Sequence, residues 1–192
     1  MRLLVLLLAG TLILGAAACG GGGGSSSSSS GTKPDEWASS VCGALQTWED
    51  DLRAGSQQLS ADIRASSDPK SVKEKLVTFL EKSEKSTEKL VDDVKAAGAP
   101  AVKDGEAIQR DLEASLTQAR NTFDRAGTRA KKLQATPQAL TTGLGALAQT
   151  IQSELAATGR HFSSLENKYD FGEVNNAMAD EPACKPFVSS SG

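Results

Sequence analysis

The stretch from Asp35 to Leu52, DEWASSVCGALQTWEDDL, decides how the chain folds. It holds both tryptophans, Trp37 and Trp48, and one of three cysteines, Cys42. Trp37, Val41, Leu45, Trp48 and Leu52 recur at steps of three and four, which aligns them on one face of a helix. The two tryptophans are eleven residues apart, three turns on the same face, as core anchors would be. Pro34 just upstream suits a first helical position, where its missing N–H costs no helical hydrogen bond.

Working outward toward the C-terminus, the same punctuation recurs at Pro69, Pro100 and Pro137. Asp68 and Thr136 precede two of these prolines as N-caps, and Gly98 can end a helix in a left-handed conformation. Apolar residues between the prolines keep the helical step: Leu76, Leu80, Leu90 and Val94; then Ile108, Leu112, Leu116 and Phe123; then Leu140, Leu144, Leu147, Ile151, Leu155 and Leu165. The pattern predicts four helices at 35–66, 69–97, 101–135 and 137–169. Each is about 45–50 Å long at 1.5 Å per residue. Matched lengths and short connections make the expected fold class all-α, an up-down-up-down four-helix bundle with an irregular, disulfide-tied C-terminal tail. A helical solenoid is not expected, because such repeats carry two helices each and here there is one. The bundle domain spans 34–187, with 173–179 a short helix or the end of helix four, and 188–192 a disordered tail.

Upstream, Met1 to Ala18 reads as a signal peptide: Arg2 supplies the positive start, Leu3 to Leu14 the apolar run, Ala16 to Ala18 the small-residue cleavage site. The apolar run is too short for a membrane-spanning helix. Leu14-Gly-Ala-Ala-Ala-Cys19 resembles the lipobox of bacterial lipoproteins, with Ala16 where that motif usually has leucine. The resemblance implies lipidation of Cys19 and an anchor on the outer face of the cell membrane; Ala-x-Ala also suits ordinary secretory cleavage. Residues 19–33 then form the lipidated cysteine and a glycine-serine linker. The Gly20–Gly31 tract cannot bury apolar surface and spans about 20 Å as a coil.

The whole-chain totals narrow the function classes. The formal net charge is −3, or −4 without Arg2, with no basic patch along the sequence, so nucleic acid is not an expected partner. With Cys19 lipidated, Cys42 and Cys184 have one possible pairing, and an exported chain meets an oxidising compartment. Both ends of the domain lie at one end of such a bundle, which brings the two cysteines within reach of each other. His161, the lone histidine, lacks the converging neighbours that catalysis or metal binding needs. Gly143-Leu-Gly145 matches part of a dinucleotide fingerprint but follows no strand, so small residues for close helix contact are expected there. The mixed charges from Lys70 to Lys95 read as a solvated face, with Glu81 and Lys85 a favourable pair. No Glu-x-x-His occurs, so a di-metal site is not supported, and neither a metal nor a cofactor is expected.

The opening Trp37-Ala-Ser-Ser-Val-Cys42 and the late Ala183-Cys184 resemble a loosely defined set of uncharacterised exported actinobacterial proteins, small helical lipoproteins. That likeness covers the two ends of the domain. It implies an envelope location and a terminal disulfide, and no activity. The expectation is a non-catalytic tethered envelope protein that binds another protein or an envelope component. One alternative is a small-molecule binder with a cavity around Ser83, Thr87 and Ser115. An enzyme is the last alternative, because no nucleophile, base and orienter come together in the sequence.

Overall fold

The structure, a computed structural model, describes residues 31–188, except for the side chains at 162, 163, 166 and 188. Cys19, the signal segment, the glycine-serine tract up to 30 and residues 189–192 lie outside the described residues. The chain is all-helical: α1 (Pro34–Ala65), α2 (Pro69–Ala97), α3 (Gly105–Lys132), α4 (Pro137–Lys168), α5 (Gly172–Asp180), a 3-10 turn (Pro182–Cys184) and α6 (Lys185–Val188). No strand occurs among the described residues.

The helix starts follow from the capping chemistry. Pro34, Pro69 and Pro137 each occupy a first helical position. The Asp68 carboxylate accepts from the backbone N–H groups of Lys70 and Ser71, and the Thr136 hydroxyl accepts from that of Ala139. Gly98 closes α2 at φ 71°.

Pro100 does not open a helix, which corrects the predicted start at 101. The residues around it are held by Thr32 instead. The Thr32 N–H donates to Ala99 O at 2.8 Å, the Ala101 N–H donates to Thr32 O at 2.7 Å, and the Thr32 hydroxyl donates to Ala97 O at 2.6 Å. The helix begins only after Asp104, which turns left-handed at φ 61°. Gly105 then lies so close to Pro100 that a Cβ there would sit 1.9 Å from its carbonyl oxygen. Thr32, read from sequence as linker, is thus part of the folded unit.

Side-chain pairs give the sense of each helix contact. Between α1 and α2, Asp51 meets Ser86 at 2.8 Å and Asp62 meets Lys75 at 3.9 Å. Between α2 and α3, Gln109 donates to Val94 O at 2.8 Å and Glu84 meets Arg120 at 2.7 Å. Between α3 and α4, Asp111 meets Lys168 at 2.8 Å and Thr122 meets Glu154 at 2.9 Å. In each case numbers rise on one helix as they fall on the other, so consecutive helices run in opposite directions. The starts of α1 and α3 and the ends of α2 and α4 therefore share one end.

The interior is in two parts. One cluster, at that shared end, packs Trp37, Val41, Leu90, Val94, Ile108, Leu112 and Leu165 with Phe171 and Val174 around the buried Cys42–Cys184 disulfide, whose Cα atoms are 5.0 Å apart. The other packs Leu76, Leu80, Phe123, Ala126, Ala130 and Leu147. No Cα atom of α1 comes within 8 Å of one in α4 among the described residues; α1 packs instead on α2, α5 and the 3-10 turn. Leu52 and Leu59 of α1, and Leu144, Ile151 and Leu155 of α4, flank the second cluster and are only partly buried.

Candidate functional site

The residues singled out from sequence separate into three places. Cys42 and Cys184 are joined and fully buried, 142 residues apart in the chain. The tryptophans act as anchors, each with its indole N–H bonded across to another helix. Trp37 donates to Gln109 Oε1 at 3.2 Å, and Gln109 in turn donates to Val94 O and Glu113 Oε1, both at 2.8 Å. Trp48 donates to the Thr87 hydroxyl at 2.9 Å, and Thr87 donates to Ser83 O at 2.7 Å. A buried indole with its N–H satisfied stabilises the fold without the cost of an orphaned donor.

The α3–α4 seam carries a further set of polar contacts. Asp111 Oδ2 accepts from Lys168 Nζ and from the Tyr169 hydroxyl, both at 2.8 Å. The Lys168 hydrogen bond, then that of Tyr169, holds the Asp111 carboxyl below its ordinary range, and Asp111 in turn raises Lys168. Lys168 Nζ also stands 4.8 Å from the Tyr169 ring centroid. Further along, Glu154 accepts from Thr122 and from Arg125, and Arg125 foremost lowers its carboxyl.

His161 has a partner that the sequence did not reveal: its Nδ1 is 2.9 Å from the buried Ser115 hydroxyl. Ser115 already donates its one proton to Asp111 O at 2.8 Å. The consistent assignment has His161 Nδ1–H donating to Ser115, the reverse of the polarity an activated nucleophile requires. Among the described residues, no group of three His, Cys, Asp or Glu side chains converges as a metal site would need.

Two expectations about charge and glycine are resolved by geometry. Glu81 forms its ion pair across helices with Lys131 at 2.8 Å; the Lys131 hydrogen bond chiefly lowers its carboxyl, and the charge of Lys85 on α2 adds a smaller favourable part. Gly143 lies inside α4, where a Cβ would come within 2.6 Å of the Leu133 side chain, whereas Gly145 faces open space. One of the two glycines therefore serves close packing and the other does not.

Two of the surface grooves bear on these residues. One, of ≈ 640 Å³, follows the outer α1–α2 seam over Leu52, Gly55, Phe79 and Ser83, with Lys82, Lys85 and Lys89 on its rim. Neither Thr87 nor Ser115 lines it, and the hydroxyls of Ser83, Thr87 and Ser115 are all hydrogen-bonded within the protein. The other, of ≈ 570 Å³, lies between the start of α2 and the end of α3, lined by Lys70, Lys73, Glu74, Val77, Thr78, Lys131 and Ala135. Lys70 and Lys131 are distant in sequence, so no local composition signal marks this cluster. Compared with known proteins, the chain matches no family model, no curated protein and no solved structure.

Proposed function

We propose that the protein is a non-catalytic envelope protein tethered to the outer face of the cell membrane by lipid on Cys19, whose folded part binds a protein or envelope component. In this reading the glycine-serine stretch is a spacer and the four long helices form an up-down-up-down bundle. The observation that carries it is the buried Cys42–Cys184 disulfide beside an N-terminal export-type segment. Structural disulfides persist in oxidising compartments and are rare in reducing ones. Two features give further support. Thr32, the end of the tether, is tied to the α2–α3 turn, so the anchor enters at one end and leaves the other free. Among the described residues no helix is long and apolar enough to cross a membrane, so in this reading the lipid on Cys19 is the anchor.

A catalytic role is not proposed, because Ser115 is buried and its proton is committed to its own helix. Fractionation of cells expressing Cys19→Ala tests the anchor. The expected outcome is transfer of the protein from membrane to medium. Retention in the membrane fraction at the level of the unmodified chain would refute it.

A further inference from the structure

We propose that the groove between the start of α2 and the end of α3 binds a linear polyanion, a strand bearing repeated phosphate groups. This sharpens the binding role above and rests on it only for the cellular setting. Three lysines line the groove against one carboxylate, Glu74, over a floor that includes Val77 and Ala135. Lys70 and Lys73 have no ion-pair partner among the described residues; Lys131 is held by Glu81 in an exposed pair that an incoming anion can share. Arg64 and Lys132, at the same end of the molecule, are also free of ion pairs among the described residues. At the opposite end Asp35, Glu36, Asp104, Glu106, Asp170 and Glu173 outnumber Lys33, Lys95 and Lys103. Charge is thus segregated along the long axis in a chain whose net charge is −3.

The polarity has a direction. The acidic end is the one where Thr32 joins the fold, and the basic groove is at the far end. A field of this shape repels a polyanion from the tethered end and draws it to the distal one. Lysine ammonium groups recognise phosphate as point charges without demanding fixed geometry, which suits a repeating polymer. A concave, lysine-walled groove fits a strand better than a flat bilayer surface, and no inserting aromatic side chain lines it. The same lack of aromatics removes the base-stacking platform on which single-stranded nucleic acid binding relies.

The test uses the full chain as its Cys19→Ala variant, which lacks the anchor, titrated with inorganic polyphosphate. Neutralising three phosphates gives a log–log salt slope of about −2, hence a ~20-fold weakening between about 50 and 200 mM salt. The variant Lys70→Gln/Lys73→Gln/Lys131→Gln is expected to lose binding at least ~10-fold at the lower salt. The variant Lys33→Gln/Lys95→Gln/Lys103→Gln, at the acidic end, is expected to bind within about twofold of the parent. Circular dichroism and the unfolding midpoint of both variants check that the helices persist. Equal loss in the two triple variants, salt-independent binding, or no binding at the lower salt would overturn the proposal. So would tighter binding to oligo-dT than to polyphosphate, or binding to anionic phospholipid vesicles without binding to polyphosphate. Because the anchor is removed throughout, these results stand apart from the fractionation experiment.

Discussion

Asp111 shows how one carboxylate can join two elements. Its position on α3 lets it accept from both Lys168 and Tyr169 at the end of α4. These bonds favour the ionised form, so the folded pKa lies below the unfolded one, whose ordinary value is 3.8. The resulting stabilisation is present above the unfolded pKa and is lost as pH falls through the lower folded value. Thermal melts of the parent and Asp111→Asn should therefore differ at about pH 7, with the variant less stable, and converge as pH falls below the lowered folded pKa of Asp111. A gap in melting temperature that persists unchanged in acid would show that Asp111 acts through something other than its charge. His161 and Ser115, one turn along the same seam, add a hydrogen bond that the helical neighbours of His161 could not disclose.

Within the elements, glycine has opposite consequences in α3 and α4. Gly105 starts α3 with no room for a side chain: the added carbon would overlap Pro100 O at 1.9 Å. Gly105→Ala must push the α2–α3 turn away from the Thr32 bridge, a distortion expected to cost about 1–3 kcal/mol. Gly145 sits within α4, and a Cβ added there would meet nothing within 4 Å. Gly145→Ala should stabilise by roughly 0.5–1 kcal/mol through helix propensity alone. Urea unfolding of both variants separates the two effects, and a neutral Gly105→Ala would mean that the turn yields without strain. The late start of α3 has the same origin. Residues 101–104 have adequate helix propensity, but the hydrogen bonds offered by Thr32 hold Ala99 and Ala101 in an extended pairing.

At the scale of the whole molecule, the disulfide joins α1 to the 3-10 turn Pro182–Cys184. It secures α5, whose Val174 and Ala177 are buried against the cluster containing Trp37 and Cys42. The enclosed loop is most of the folded chain, so the chain-entropy argument gives a stabilisation of up to about 5 kcal/mol. Cys42→Ala/Cys184→Ala should lower the unfolding midpoint under non-reducing conditions and match the parent treated with reductant. An unchanged midpoint would mean that packing of α5 alone holds the two ends together. Segregation of charge along the axis is a property of this same scale, since it arises only once opposed helices bring the start of α2 beside the end of α3.

The four long helices, and their limits except the start of α3, were legible in the amino-acid order because proline, capping side chains and apolar periodicity act within a few residues. The starts of α2 and α4, and the tryptophan-bearing face of α1, follow from such local rules. The pairing of Cys42 with Cys184 could be reached by counting once Cys19 was set aside. Tertiary structure decided the rest. Glu81 gained Lys131 as its ion-pair partner, Ser115 met His161, Thr32 joined the fold, and three lysines from two helices came to line one groove. Each depends on the rotation and register of one helix against another, and those are set by packing summed over whole faces rather than by any short run of sequence.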